Sequence, residues 1–167
     1  NVFKLTNMKK LLLYTLCIML SAISIAQTTY TSSSDGNWSD ASTWSPSGVP
    51  GSADTAIINS VVSVDASTTV AKLTVNATKT LNINNPLTVS NASGESSVSG
   101  QVVVINNFII SDGNFNVANT GVITVGSGRD FVFSSSSGDT FTNNGTVTIS
   151  SNSTSYGALL FPSGTIS

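Results

Sequence analysis

The chain of 167 residues has no histidine, a single cysteine and very little charge, since only 8% of its residues are charged. The lack of histidine excludes a Ser–His triad, histidine metal ligands and an imidazole general base. With only 6 basic and 8 acidic residues, the chain lacks the clustered cations that a nucleic-acid surface needs. We therefore expect no nucleic-acid partner and no histidine-dependent chemistry.

Residues 1–26 have the pattern of an upstream extension followed by a secretory signal peptide. Met8 precedes two lysines, the run at 11–20 is almost wholly apolar, and Ser24-Ile25-Ala26 has the small residues of a cleavage site. The apolar run is short for a membrane span, so cleavage before Gln27 is favoured over an N-terminal membrane anchor. This pattern predicts a secreted or outer-cell-surface protein with no membrane span after signal cleavage.

The only cysteine lies inside this apolar run. Cys17 follows Leu16, whereas a lipid-modified cysteine would need a small residue before it. We expect Cys17 to leave with the signal peptide. The mature chain would then have neither disulfides nor thiolate chemistry.

From Gln27 onward the chain is rich in serine, threonine, asparagine and β-branched residues, and no segment has the apolar spacing of a helix. Short runs of alternating apolar and polar residues are separated by Asn and Gly corners. In Phe141–Ser150, two extended pieces flank Asn144-Gly145, a pair that tolerates positive φ. The segment therefore has the form of a β-arc, and similar segments recur along the chain.

The recurring arcs predict an all-β fold, a right-handed parallel β-helix, also called a β-solenoid, with rungs of about 20–24 residues. Residues 27–54 are assigned to a loop-rich cap and residues 55–167 to β-helix rungs. The chain stops in mid-pattern, which is typical of a solenoid truncated at its C-terminus. Corners are predicted at Pro86, Asn107, Gly121 and Gly145, and the short gap from Asn107 to Gly121 indicates a corner inside one rung.

The core of the solenoid is predicted from the apolar residues that alternate with Ser, Thr and Asn. A slip of one residue would expose the whole set, so the alternation fixes which side chains face inward. The residues expected in the core are Phe108, Phe115, Phe131, Phe141, Val147 and Ile149.

Both tryptophans lie in the loop-rich segment before the predicted rungs. Trp38 and Trp44 have the apolar area to cover an open solenoid end around Ile57, Ile58 and Val62. The alternative is a ligand-binding role in which an exposed indole face stacks on a sugar ring. Because an uncovered end invites pairing with another chain, the cap is the favoured interpretation.

Three stretches of the N-terminal half resemble a known group of proteins: DGNWSDASTW at 35–44, GVPGSADTAIIN at 48–59 and LTVNATKTLNI at 73–83. Together they resemble the N-terminal segment of secreted bacterial cell-surface proteins with right-handed β-helix folds. They are similar to cargo of the type IX secretion route and, more loosely, to G8-type domains and autotransporter-like adhesins. The resemblance covers about residues 30–90 and implies a β-helix at the cell surface, without implying an activity.

The eight acidic residues are scattered, and paired carboxylates for acid–base work are not apparent. Arg129-Asp130 is the one adjacent pair of opposite charge after the signal, and it is interpreted as a solvated turn. Asp35 and Asp40 flank Trp38, but two carboxylates rarely suffice for calcium. We therefore predict no catalytic residues, no metal site and no cofactor.

Three functional hypotheses follow from these observations. The favoured one is a non-enzymatic surface solenoid with a structural or adhesion role, whose partner is an extracellular glycan or another surface protein. The alternative is the N-terminal part of a β-helix carbohydrate-active enzyme, a polysaccharide lyase or glycosidase with catalytic rungs downstream. A weaker third is an ice- or crystal-binding face, to which Thr146-Val-Thr148 is suited.

Overall fold

A computed structural model of the chain describes residues 27–134, 138–150, 158–160 and 165–166, so the predicted signal peptide lies outside the described residues. The described chain is all-β, and its coils stack in parallel for about four turns to form a β-solenoid. This confirms the predicted fold class. The one helical segment among the described residues is a short 3-10 turn at Ala41–Thr43.

The first eight strands, in chain order, are β1 (Thr29–Ser32), β2 (Gly36–Asn37), β3 (Trp44–Ser45), β4 (Thr55–Ile58), β5 (Val61–Val64), β6 (Thr68–Val70), β7 (Lys72–Val75) and β8 (Thr80–Ile83). The remaining strands are β9 (Leu87–Val98), β10 (Gln101–Val104), β11 (Phe108–Val117), β12 (Val122–Val125), β13 (Asp130–Phe133), β14 (Thr140–Asn143), β15 (Thr146–Ile149), β16 (Ala158–Leu160) and β17 (Thr165–Ile166).

The strands form three stacks, which we call faces A, B and C, and the chain visits them in that order. Face A contains β1, β4, β7, the later halves of β9 and β11, β14 and β17. Face B contains β2, β5, β8, β10, β12 and β15. Face C contains β6, the earlier halves of β9 and β11, β13 and β16. Every pairing within these stacks is parallel.

The corners of the coil fall where the sequence predicts them. Pro86 and Asn107 each stand between a strand of face B and the next strand of face C, whereas Gly121 and Gly145 stand between face A and face B. The short gap between Asn107 and Gly121 therefore separates two different corners of one rung, as predicted. Polar side chains also connect neighbouring rungs: the Thr120 hydroxyl donates to the Ser99 carbonyl at 2.7 Å, across 21 residues.

Alternate side chains of each strand enter one continuous apolar core. On face B, the buried residues Leu81, Val102 and Ile123 lie in register above one another. Faces A and C contribute an aromatic cluster, in which Phe108 stacks on Phe131 with ring centroids 5.0 Å apart and Phe115 stacks on Phe141 at 6.1 Å. The four phenylalanines predicted for the core are all buried, which confirms that part of the prediction.

The other two predicted core residues lie on β15, the last strand of face B among the described residues. Val147 is partly buried and packs against the core. Ile149 is 37% exposed, so its assignment to the core is wrong. Its register with the buried Val125 shows that it lies on the inward side, but no described strand pairs with the outer edge of β15. The alternation therefore predicts the direction of this side chain correctly and its burial incorrectly.

The coil begins earlier than expected. The first strand was predicted at Thr55, but β1 and β2 already pair in parallel with β4 and β5. The segment 27–54 thus contributes strands to faces A and B as well as the loop that holds the tryptophans. Within that loop, β3 turns back and pairs antiparallel with β1, so that Trp44 lies beside Ser32.

The glycines at the A–B corner occupy their positions for a reason that the sequence interpretation missed. Gly145 is not among the residues with positive φ. Instead, a Cβ at Gly145 would collide with the carbonyl oxygens of Gly121 and Ala118. The close approach of neighbouring rungs, and not a left-handed backbone, therefore explains glycine at this corner.

Lys72 and Lys79 do not belong to an unpaired sheet edge, where lysines commonly discourage pairing with another chain. Lys72 begins β7, which pairs with β4 on one side and with β9 on the other. Lys79 lies in the corner before β8, which is likewise paired on both sides. Both lysines are partly exposed and contribute to the surface of the solenoid.

Candidate functional site

The two tryptophans of the predicted cap meet edge to face at the first described rung. Their ring centroids lie 4.9 Å apart, with an angle of 71° between the ring planes. Each indole N–H is satisfied: that of Trp44 donates to the Trp38 carbonyl at 2.9 Å and that of Trp38 to the Pro50 carbonyl at 3.3 Å. This pairing of every polar atom with a protein partner is what a buried aromatic cap requires.

Both indoles are only 2% exposed and belong to the same core as Ile58 and Val62. This confirms that they are buried, although Ile57 alternates to the outer side and is only partly buried. A sugar-stacking role for Trp38 and Trp44 needs an exposed ring face, which this arrangement does not provide. That ligand-binding role stays a prediction, and the geometry lends it no support.

Three carboxylates attach the cap loop and β1 to the first rungs. Asp35 accepts from the Val61 N–H at 2.7 Å, and Asp54 accepts from the Thr28 N–H at 3.0 Å. Asp65 accepts from both the N–H and the hydroxyl of Ser39, across 26 residues. The hydrogen bond from the Ser39 hydroxyl lowers the pKa of Asp65 below its ordinary value, so the charged form is favoured in the folded chain.

Asp40 has a local role at the start of the 3-10 turn. Its carboxylate accepts from the Ser42 N–H at 2.8 Å, and this bond lowers the pKa of Asp40. Asp35 and Asp40, weighed above as a calcium pair, are thus occupied by separate backbone groups. Among the residues that the structure describes, no three His, Cys, Asp or Glu side chains gather where they could hold a metal ion.

The pair Arg129-Asp130 lies at a corner between faces B and C. Arg129 is exposed and its N–H donates to the Gly126 carbonyl at 3.2 Å, while the Asp130 N–H donates to the Asn107 side chain at 3.3 Å. These contacts are those of a solvated turn, as interpreted from the sequence.

A groove crosses the A–B corner of three successive rungs, and the sequence analysis did not predict it. Its cause is corner length: four residues separate β7 from β8 and β11 from β12, whereas only two, Ser99 and Gly100, separate the strands of the rung between them. The two long corners therefore stand out on either side of a recessed one. The resulting concavity, which we call the corner groove, has a volume of about 400 Å³.

Six of the nine residues that line the corner groove have polar side chains, and much of the lining surface is formed by their aliphatic carbons and by Ala77 and Val122. The six polar residues are Thr78, Lys79, Thr80, Ser99, Gln101 and Thr120. Gly100 forms the floor, where a Cβ would collide with the carbonyl oxygens of Asn76 and Lys79. The groove thus combines hydroxyls, one amide and one ammonium group around a floor that must remain without a side chain.

One backbone feature also marks the corner groove. Thr78 has φ of 65°, and it is the one non-glycine residue with positive φ in the described parts of the chain. This conformation is unusual for a β-branched residue and costs about 1–3 kcal/mol. The sequence contains a signal that could have located the site, because the corner lengths become visible once the ends of β7, β9 and β11 are aligned together with the starts of β8, β10 and β12.

Comparison with models of known protein families, with curated proteins and with solved structures finds no match to this chain. Within the described residues, no helix has the length and apolar character needed to cross a membrane. The candidate site therefore has to be interpreted from its own geometry.

Proposed function

We propose that this chain is a non-enzymatic secreted or cell-surface β-solenoid with a structural or adhesion role. The observation that carries the proposal is the parallel stack of coils, about four turns long, with one continuous apolar core. Such a stack is stiff because each rung is hydrogen-bonded to its neighbours, and its surface grows with each added rung. Repetitive scaffolds of this kind suit the presentation of an extended binding surface.

The outward side chains support a surface that contacts polar partners. On face A, the outward row carries the hydroxyl groups of Thr31, Thr74 and Ser97 and is interrupted by Ile57. Such groups can donate and accept hydrogen bonds without the cost of removing a charge from water. An extracellular glycan or another surface protein is the proposed partner.

The proposed location rests on the sequence pattern at residues 8–26. We propose export through this signal peptide, as in the type IX secretion cargo that the N-terminal half resembles. The expected mature protein begins at Gln27. N-terminal sequencing of the protein recovered from the cell surface or medium tests this, and an intact N-terminus at Met8 on membrane-bound protein would contradict it.

The functional test compares cells that carry the gene with cells from which it is deleted. Deletion should reduce attachment to glycan-coated or protein-coated plates, and complementation with the whole chain should restore it. Attachment that is unchanged by deletion on every surface would overturn the adhesion role.

The enzymatic alternative is tested with the purified protein and acidic or neutral polysaccharides. We expect neither new reducing ends nor unsaturated products. Release of such products by the wild-type protein, with loss of activity in Arg129→Gln or Asp130→Asn, would favour the carbohydrate-active enzyme instead.

A further inference from the structure

The corner groove has the dimensions of a site for one extended chain. Parallel strands lie about 4.8 Å apart, so the two long corners that bound the groove, one rung to either side of Gly100, are about 10 Å apart between backbones. This width accommodates one linear polymer lying along the recessed corner. The groove therefore selects for a narrow, extended ligand.

The backbone at the floor of the groove is already paired along the stack. The N–H groups of Gly100, Gln101 and Val122 already donate to carbonyls of the preceding rung, at 3.2, 2.8 and 2.9 Å. A peptide could not add itself to the sheet here, because β-strand addition needs an unpaired edge. Recognition must instead use the side chains that line the groove.

Two of those side chains, Lys79 and Gln101, have free hydrogen-bonding capacity. Among the described residues, none forms a hydrogen bond or ion pair with the Lys79 ammonium group or with the Gln101 amide. Thr78 and Gln101 are exposed, and Lys79 and Thr80 are partly exposed. Ligand hydroxyls can bond to the amide and hydroxyl groups, and a ligand carboxylate can pair with Lys79.

Lys79 is one of just three cations after residue 26. Its ammonium group places a local positive charge in a concave site, where it can pair with an anion. The strained backbone of Thr78, next to it, is the second sign of a functional site, because residues held in such conformations cluster at ligand-binding positions. The charged side chain of Lys79 and the strained backbone of Thr78 thus belong to adjacent residues on the same side of the groove.

We propose that the corner groove binds an acidic oligosaccharide, a linear glycan whose carboxylate pairs with Lys79 and whose hydroxyls bond to Thr80 and Gln101. The inference rests on the proposed adhesion role and assigns it a site and a ligand class. Neutral glycans would use the same hydroxyl and amide contacts and lack the ion pair. Sulfated glycans share the anionic chemistry, and the test below separates the two acidic sources.

The test measures binding of a galacturonic acid tetramer to the purified whole chain by isothermal titration calorimetry. Lys79→Gln should weaken binding about tenfold, since it removes a charge-assisted hydrogen bond while keeping a polar side chain of nearly the same length. The matched control is Lys72→Gln, which removes the same charge from face A, outside the groove. The control should bind as the wild type does, and circular dichroism should show that both variants are folded.

Three further ligands decide the ligand class. A neutral glucose tetramer should bind more weakly than the acidic tetramer and be unaffected by Lys79→Gln. A sulfated disaccharide that binds as tightly as the acidic tetramer would assign the site to sulfate instead of carboxylate, and this would overturn the proposal as stated. An oligoglutamate peptide that binds equally well would also overturn it, since the groove would then recognise charge alone.

The binding measurement and the cell-attachment experiment can fail independently of each other. If deletion of the gene abolishes attachment while Lys79→Gln leaves both attachment and tetramer binding unchanged, the adhesion role holds and the groove assignment fails. If deletion has no effect but the purified protein binds the tetramer through Lys79, the groove assignment holds and adhesion fails.

Discussion

Gly100, Gly121 and Gly145 stand above one another at the A–B corner, and at each of them a carbonyl oxygen of a neighbouring corner occupies the space that a Cβ would need. At Gly121 the obstructing atoms are the carbonyl oxygen of Val98, with Val117 Cγ1 at 3.0 Å and the Ala118 carbonyl oxygen at 3.1 Å. Backbone atoms cannot swing aside as a flexible side chain can. The corner therefore accepts only glycine without a shift between rungs.

Replacing Gly121 by alanine should destabilise the protein by about 2 kcal/mol, because the new methyl group forces the rungs apart. Urea denaturation followed by circular dichroism measures the loss. Gly51→Ala is the matched control: its Cβ would meet only Asp54 Oδ2, at 3.6 Å, so stability should be unchanged or slightly higher. Equal stability of the two variants would mean that the corner is not tightly packed.

Whether an inward-facing residue is buried depends on whether its strand has a neighbour on both sides in the stack. Phe115 is fully buried and its ring lies 5.7 Å from those of Phe108 and Phe131. Ile149 follows the same alternating pattern and is 37% exposed. The same apolar–polar alternation therefore includes Phe115, which is fully buried, and Ile149, which is partly exposed, and the two should contribute differently to the free energy of unfolding.

Phe115→Ala should cost about 3–5 kcal/mol of unfolding free energy, because it leaves a cavity among three other rings. Ile149→Ala should cost clearly less, since 37% of the residue remains exposed and its removal leaves no enclosed cavity. Chemical denaturation of the two variants provides the comparison. A loss at Ile149 as large as that at Phe115 would show that β15 is covered in solution.

At the scale of elements, the cap loop and the first rung are connected by carboxylates rather than by a long strand. β2 is only two residues long. Shortly after it ends, Ser39 donates hydrogen bonds from both its N–H and its hydroxyl to the Asp65 carboxylate. Because these bonds lower the pKa of Asp65, the stabilisation is present when the carboxylate is charged. It is therefore fully present above the ordinary aspartate value of 3.8 and is lost as pH falls below it.

Asp65→Asn should lower the melting temperature at pH 7, and the difference from wild type should shrink as pH is lowered from 5 to 2. The effect is expected to be modest, because the carboxylate is largely exposed to solvent. Thermal melts at several pH values measure it. A difference between the two proteins that stays constant over this range would contradict a role for the charge.

At the scale of the whole molecule, the solenoid has one end whose closure is visible. β3 runs antiparallel along β1, and the two indoles cover the core beneath them. A parallel stack otherwise presents unpaired backbone groups at its end, to which another chain can add. We therefore expect the cap to stabilise the chain and to hinder self-association.

Trp44→Ala should remove about 3–5 kcal/mol and uncover the edge of β1, so that concentrated protein associates. Sedimentation velocity over a range of concentrations detects the association. Trp44→Phe keeps most of the ring but loses the N–H bond to the Trp38 carbonyl, so it should remain monomeric with a smaller loss of stability. Association of both variants alike would assign the effect to the hydrogen bond instead.

Local pattern was sufficient to predict the β-solenoid, its corners and most of its core. Alternation places Phe108, Phe115, Phe131 and Phe141 inside, because a side-chain period of two leaves one choice once a face is buried. The burial of the tryptophans was the favoured interpretation of the sequence, with an exposed sugar-stacking face as the alternative, since large apolar rings before a repeat can cover its open end.

Contacts between rungs decided the rest, because they join residues about one coil apart that no local pattern relates. Position 145 needs glycine because carbonyl oxygens of the preceding rung occupy the space that a Cβ would take. Ile149 is exposed because no described strand pairs with the outer edge of β15. The corner groove likewise arises only when a two-residue corner is stacked between two four-residue corners. Sequence alone determined which way each strand faces, whereas stacking determined which atoms meet and where the surface becomes concave.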